Sequence, residues 1–238
     1  MTTIIFISKT IFSIIIGLLA GLLTVHVFNR IPPKWLSDYN QEPGKSMWGE
    51  RIKKRPWDMV FILVFTGASL KLMNQGVIYQ IAGMFALWFL LQIAIADKKY
   101  RIIPDQFIIA LGVAAIGFIP FQNSYLSPLY GALIGGGSFL LIGVLGQLIF
   151  KKETIGFGDV KMLAAIGLIT GPKGIIIIIL FTVFSSAAVF GWGLIKGSIK
   201  KEDEKPLGPF IAAGTSVYIL FYHEIMKLLL LYYTCSGL

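Results

Sequence analysis

Long apolar segments alternate with short polar connections along the whole chain. Most of these segments approach the length of about 20 residues that a helix needs to cross the core of a bilayer. About eight of them can be distinguished, at residues 4–28, 57–73, 77–96, 106–121, 127–150, 159–170, 175–195 and 208–232. The pattern predicts an all-α fold, a polytopic membrane protein with about eight transmembrane helices.

The segment 159–170 is too short to cross a membrane alone. Gly171 and Pro172 follow it directly, and proline interrupts a helix because it lacks an amide hydrogen. Irregular backbone at membrane depth is tolerated where it is buried in protein or lines a water-filled cavity. The sequence therefore predicts a half-span, or a tilted helix broken at this pair, beside a cavity.

Composition agrees with a lipid environment. Hydrophobic residues make up 56% of the chain and charged residues only 14%, against about 45–50% and 25% in a soluble domain. The formal net charge of +9 raises the question of nucleic acid. The basic residues lie between the apolar segments, however, where they orient a chain in the membrane, so membrane lipid is an expected partner and nucleic acid is not.

Basic connections alternate with nearly uncharged ones. The basic connections lie at residues 30–55, 97–105, 151–152 and 196–205. Because Lys and Arg are enriched in cytoplasmic loops, all of them are expected on the cytoplasmic side, with both termini outside. The first apolar segment has no basic region before it and is too long for a signal peptide, so we expect it to be retained. Residues 1–56 are interpreted as a first helix with a basic cytoplasmic loop, and residues 57–238 as a helical core.

Asp97 stands at the end of the third apolar segment, in Ala96-Asp97-Lys98. A negative charge there meets the negative end of the helix dipole, which is unfavourable. An ion pair with Lys98 or with Arg101 at the membrane interface explains the position equally well. The position alone does not separate a structural role from a catalytic one.

Asp159 and Asp105 both stand at the start of an apolar segment. Asp159 follows Gly156-Phe157-Gly158, and Asp105 follows Pro104. Either aspartate is a candidate N-cap, and Asp105 is the better one. The two glycines before Asp159 also permit a close approach of the main chain to a substrate, which favours a functional role for Asp159.

The three aspartates are all expected on the cytoplasmic side. Two full spans separate Asp97 from Asp159 and return the chain to the same face, so the two carboxyls can meet. Paired carboxyls share a proton, because both cannot easily be ionised at once. One then serves as a general base that activates water, and the other as a general acid that polarises a carbonyl. This is the chemistry of aspartyl peptide hydrolysis.

Other catalytic sets are poorly supported. The chain has only two histidines, His26 and His223, and one cysteine, Cys235, so no metal site is expected. Glu224 lies inside the last apolar segment, where an acidic residue is a functional candidate. An ion pair with His223 or Lys227 is the favoured interpretation for Glu224.

At these residues the chain resembles the type IV prepilin leader peptidases. The stretch Asp97-Lys98-Lys99-Tyr100-Arg101-Ile102-Ile103-Pro104-Asp105 resembles the first aspartate motif of that family. Gly156-Phe157-Gly158-Asp159-Val160-Lys161 resembles its second, the Gly-x-Gly-Asp motif. Pro206-Leu207-Gly208-Pro209-Phe210 resembles a further family segment, and the likeness covers roughly residues 94–214.

The resemblance implies a multi-pass peptidase of the inner (plasma) membrane that removes the leader of prepilins or pilin-like proteins at the cytoplasmic face. It implies Asp97 and Asp159 as the catalytic pair. The implied supporting residues are Gly156, Gly158, Lys161, Pro104 and Asp105. No cofactor is expected for the peptidase reaction.

Many members of the family also methylate the new N-terminus with S-adenosylmethionine. Those members typically carry two Cys-x-x-Cys pairs in the first cytoplasmic loop, and this chain has none there. The sequence leaves methylation, and with it S-adenosylmethionine as a cofactor, open.

Two other classes of function remain as alternatives. A proton-coupled transporter would also use carboxylates within the membrane and a broken helix, but no internal repeat is visible between the two halves of the chain. A non-catalytic assembly protein of a pilus or secretion system is disfavoured by the intact pair of aspartates.

Overall fold

The structure, a computed structural model, describes residues 2–37, 42–151, 155–197 and 205–236. Within these ranges the chain forms eight α-helices and no strand. The helices are α1 (Thr2–Arg30), α2 (Lys54–Leu72), α3 (Val77–Tyr100), α4 (Asp105–Ile116), α5 (Ser127–Phe150), α6 (Phe157–Ile195), α7 (Gly208–Leu220) and α8 (Tyr222–Ser236). Short 3₁₀ turns lie at Pro33–Leu36, Lys45–Met47 and Ile119–Phe121.

Several of these helices are suited to lipid. Among the described residues, four are long and apolar enough to cross a membrane, at Thr3–Arg30, Val77–Tyr100, Ser127–Ile149 and Phe157–Ile195. Two shorter apolar helices, Asp105–Ile116 and Gly208–Leu220, accompany them. Large apolar side chains are exposed along these helices, as expected where lipid covers the surface. The prediction of an all-α, polytopic membrane protein is confirmed.

The predicted break at Gly171 is present, but it lies within one long element. Helix α6 contains both the sixth and the seventh predicted segments. Gly171 has φ 66° and ψ −176°, a backbone region that is essentially restricted to glycine. The first part of α6, before Gly171, is therefore a short helix whose N-terminal end carries Asp159.

The last predicted segment, 208–232, is divided at a point where neither glycine nor proline indicates a break. Phe221, with φ −115° and ψ 25°, separates α7 from α8. Just beyond it, the Tyr222 hydroxyl donates to the Phe121 carbonyl oxygen (3.2 Å). Glu224 forms an ion pair with Lys71 of α2, a partner that the sequence did not indicate. These contacts tie the start of α8 to α2 and to the 3₁₀ turn Ile119–Phe121.

The bundle is built around α3, which carries buried residues along most of its length. It packs against α1, α2, α4 and α7, and α6 packs against α4, α5 and α7. Helices α5 and α6 approach closely, since a Cβ on Gly131 would lie 2.1 Å from the Gly167 carbonyl oxygen. Helix α1 packs against α2 and α3, and the division of the chain at residue 56 stays a prediction.

Candidate active site

The C-terminal end of α3 and the N-terminal ends of α4, α6 and α7 meet at one end of the bundle. They surround a cavity of about 790 Å³. The connection between α1 and α2 contributes a further wall. The cavity is lined by Lys34, Trp35, Ser37, Asp97, Arg101, Ile102, Ile103, Pro104, Asp105, Gln106, Ile155, Gly156, Phe157, Gly158, Asp159, Lys161, Lys205, Pro206 and Leu207. Every residue that the sequence predicted for the site is in this set.

Asp97 lies in the last turn of α3, which runs on to Tyr100. The helix ends because Arg101 adopts a left-handed conformation, with its amide bonded to the Asp97 carbonyl oxygen (2.8 Å). The Asp97 residue is only 6% exposed. Its Oδ2 accepts a hydrogen bond from the main-chain amide of Gly208 (2.8 Å) at the start of α7. The carboxyl is thus held between two helices.

Asp159 lies in the first turn of α6, close to Asp97. The N-cap of α6 is Gly156, and no side chain caps the helix, so the N-cap interpretation of Asp159 is wrong. Its Oδ1 is buried and has no hydrogen-bond partner. Asp97 and Asp159 line the same cavity. An unpartnered carboxylate oxygen beside a second carboxyl is a position where a water or a substrate group can bind.

Asp105 and Lys161 join α4 to α6 next to this pair. The Lys161 Nζ donates to both carboxylate oxygens of Asp105, each at 2.9 Å. The N-cap of α4 is Pro104, without a side-chain cap, so the N-cap interpretation of Asp105 is also wrong. The ammonium also lies 5.0 Å from the centre of the Phe157 ring. The ion pair fixes the first turn of α6 against the start of α4.

Pro104 and the two glycines shape the main chain around the carboxyls. Pro104 is buried and ends the bend that leads from α3 into α4. A Cβ on Gly158 would lie 3.1 Å from the Ile103 Cβ, and one on Gly156 would lie 3.4 Å from the Asp159 Oδ2. Small residues therefore allow α6 to begin directly beside this bend.

Some site residues were not singled out by the sequence. Gly208 contacts Asp97 through its main chain, although its segment had been noted only for its resemblance to the family. Lys34, Trp35 and Lys205 line the cavity from connections between helices, and nothing in their spacing indicated this. Among the residues that the structure describes, no group of three or more His, Cys, Asp or Glu residues could hold a metal ion.

Comparison with known proteins agrees with the geometry. The sequence profile of the type IV leader peptidase family matches residues 84–191, a range that includes Asp97, Asp105, Asp159 and Lys161. No solved structure matches the chain.

Curated relatives carry the same family name. The chain is 33% identical over 124 residues to leader peptidase HopD of Escherichia coli, covering 50% of this chain and 78% of the relative. It is 30% identical over 134 residues to leader peptidase HopD of Salmonella typhimurium, covering 55% and 86%.

Longer relatives match over a smaller share of their length. The chain is 28% identical over 144 residues to the prepilin leader peptidase/N-methyltransferase of Bacillus subtilis, covering 58% of this chain and 54% of the relative. It thus spans about half the length of relatives of that kind. The identity and coverage of the shorter relatives confirm the family that the sequence motifs indicated: this chain belongs to the type IV leader peptidase family.

Proposed function

We propose that this chain is an intramembrane aspartyl endopeptidase that removes the leader peptide of prepilins or pilin-like proteins. One observation carries the proposal: Asp97 and Asp159, from distant parts of the sequence, line one cavity at the end of the bundle, inside the region that matches the family. The names of the curated relatives support prepilins as the substrate class.

Asp97 and Asp159 are the proposed catalytic pair. One carboxylate takes a proton from a water molecule, and the resulting hydroxide attacks the carbonyl carbon of the scissile bond. The other, protonated carboxyl donates its proton to the carbonyl oxygen. When the tetrahedral intermediate collapses, the C–N bond breaks and the first carboxyl gives its proton to the leaving amine. The second carboxylate takes back its proton from a hydroxyl of the intermediate, which restores the pair. The amide of Gly208 fixes the orientation of Asp97 during these steps.

Asp105 and Lys161 are proposed as supporting residues. Their ion pair lies two residues from Asp159 along α6 and joins that helix to α4. It therefore sets the position of Asp159 relative to Asp97, with Pro104, Gly156 and Gly158 providing the close packing. Transport by the same aspartates is the weaker proposal, because the family is one of peptidases.

The proposed site faces the cytoplasm. Basic residues lie near it, at Lys98 and Lys99 in the last turn of α3 and at Lys34, Arg101 and Lys205 in connections between helices. Basic residues at the ends of spans are retained on the cytoplasmic side. A plasma-membrane location follows for a protein that meets prepilins before their export.

The proposed activity is hydrolysis alone. The names of the N-methyltransferase relatives point to S-adenosylmethionine as a cofactor of those proteins. Carboxylates commonly bind the ribose of adenosine cofactors, but Asp105 is paired with Lys161, and the proposed reaction uses Asp97 and Asp159. Among the described residues of the cavity, no further carboxylate remains for that ribose.

The direct test is cleavage of a purified prepilin by the purified chain in detergent. We expect a shortened product whose mass and N-terminal sequence identify the cut at the end of the leader. Cleavage should proceed without S-adenosylmethionine and in the presence of a metal chelator. The proposal would be contradicted if the chain cleaved none of several prepilins and pilin-like proteins.

A further inference from the structure

Arg51, in the connection between α1 and α2, has a buried guanidinium that the proposed reaction does not use. The residue is 7% exposed. Its nitrogen atoms donate to three main-chain carbonyl oxygens: Nε to Met47 (2.7 Å), Nη1 to Phe28 (2.7 Å) and Nη2 to Ile31 (2.5 Å). Burial lowers the pKa of Arg51 from its ordinary value, but an arginine keeps its proton in proteins. A fixed positive charge therefore joins the end of α1 to the connection.

Asn29 completes this junction. Its Oδ1 accepts hydrogen bonds from the main-chain amides of Arg51 and Ile52, and its Nδ2 donates to the Ile52 carbonyl oxygen, all at 2.9 Å. The connection thus leaves α1 at Ile31 and is tied back to α1 at Arg51 and Ile52. Its two ends form one rigid unit.

The same unit is fastened to α3 just beyond Asp97. The Lys99 Nζ donates to the Arg51 carbonyl oxygen. The Tyr100 hydroxyl donates to the Ser46 carbonyl oxygen (3.1 Å). The connection between α1 and α2 is therefore held to the end of α3 through its main-chain carbonyl oxygens.

The start of the connection forms a wall of the candidate site. Ile31, whose carbonyl binds Arg51, is followed by the 3₁₀ turn Pro33–Leu36, and Leu36 is fully buried. Lys34 and Trp35 of this turn line the cavity. The Trp35 ring lies edge-on to Phe107 of α4, with 6.4 Å between centroids, and the residue remains 37% exposed.

We propose that Arg51 is a positioning residue that holds this wall, and that Trp35 contacts an apolar part of the substrate beside the scissile bond. The inference rests on the proposed function. Tryptophan offers a large, rigid contact surface with few rotatable bonds, and the turn that carries it is anchored through Ile31 to Arg51.

Steady-state kinetics on a prepilin tests the role of Arg51. We expect Arg51→Met to raise KM by about tenfold with kcat nearly unchanged, since loss of binding shared by ground and transition states acts on KM. The KM of Arg51→Lys should lie between those of the wild type and Arg51→Met, because an ammonium keeps the charge but cannot form the same fork of hydrogen bonds. Arg30→Met is the matched control: it removes the same charge from an exposed position at the same end of α1 and should leave KM unchanged.

The link between Arg51 and Trp35 is tested by a double-mutant cycle. Trp35→Ala should raise KM by a similar factor. The double variant Trp35→Ala/Arg51→Met should have a KM only slightly higher than either single variant, because the effects of groups that act through one another do not add. Independent, multiplicative effects would overturn the inference, as would a loss confined to kcat. Trp35→Ala alters a partly exposed side chain, so its KM remains a test even if Arg51→Met does not fold.

A contact measurement separates this inference from the proposed function. Benzoylphenylalanine in place of Trp35, in an Asp97→Asn background, should cross-link to the prepilin on illumination. The same probe in place of Trp48, which is exposed in the same connection and does not line the cavity, should not. If wild type cleaves the prepilin but the probe at residue 35 gives no cross-link, the inference is wrong while the proposed function stands.

Discussion

Asp97 accepts a hydrogen bond from the Gly208 amide, and this contact leaves no room for a side chain at residue 208. A Cβ there would lie 2.7 Å from the Asp97 Oδ2. In the proposed reaction, Gly208→Ala should lower kcat by about tenfold to hundredfold, because a misplacement on the order of 1 Å can cost about hundredfold in rate.

The control for Gly208→Ala is Gly112→Ala on α4, where an added Cβ meets nothing within 4 Å. The two variants should be compared by kcat on a prepilin and by yield of folded protein in detergent. An unchanged kcat for Gly208→Ala would show that the hydrogen bond to Asp97 does not matter for the reaction.

Loss of the ion pair between Asp105 and Lys161 should lower activity less than Gly208→Ala does. Both side chains are about one-third exposed (31% and 36%), and partly exposed pairs contribute only about 0.2–1 kcal/mol. Asp105→Asn and Lys161→Met should each lower kcat/KM by roughly twofold to fivefold. The double variant should be little worse than either single variant, since the partners act as a unit; fully multiplicative losses would contradict this.

Side-chain chemistry was the part of the site that could be predicted from sequence. The pairing of Asp97 with Asp159 was indicated by their separation, and the resemblance to a known family implied Asp105 and Lys161; the structure has all four residues around one cavity. The hydrogen bond from Gly208 could not be predicted in the same way, because a main-chain amide leaves no trace in residue type. The N-cap interpretations of Asp105 and Asp159 were wrong because each side chain lies inside the first turn instead of before it.

At the level of the helices, the break in α6 depends on Gly171. Its backbone angles are costly for any other residue, by roughly 1–3 kcal/mol, and an added Cβ would lie 2.6 Å from the Ser127 Oγ. Gly171→Ala should therefore lower the free energy of unfolding by at least that amount, measured as thermal unfolding in detergent. Gly191→Ala, in the second part of α6 with open space around it, should unfold at the wild-type temperature or above it. Equal stability of the two variants would contradict this account of the break.

The two breaks differ in how far sequence could predict them. The first break can be predicted from Gly171 and Pro172, because both residues disfavour a continuous helix. The second break, at Phe221, has no such residue. It coincides with contacts of Tyr222 to Phe121 and of Glu224 to Lys71, which join parts of the chain far apart in sequence. Local pattern does not contain that information.

For the whole molecule, the alternation of basic and uncharged connections predicts which side the site faces. In a Cys235→Ser background, a cysteine in place of Lys53 should react with a membrane-impermeant maleimide only after cells are opened. A cysteine in place of Asn123, in the connection between α4 and α5, should react in intact cells. Both positions are exposed. The opposite pattern would invert the orientation expected from the positive-inside rule.

Prepilin cleavage by Asp97→Asn and Asp159→Asn tests whether the two aspartates act as one catalytic pair. Each substitution keeps the size of the side chain and removes its acid–base function. We expect both variants to insert, fold and bind substrate without cleaving it, whereas Asp58→Asn, at the start of α2, should cleave at the wild-type rate. Cleavage at the wild-type rate by Asp97→Asn or by Asp159→Asn would show that the two aspartates are not the catalytic pair.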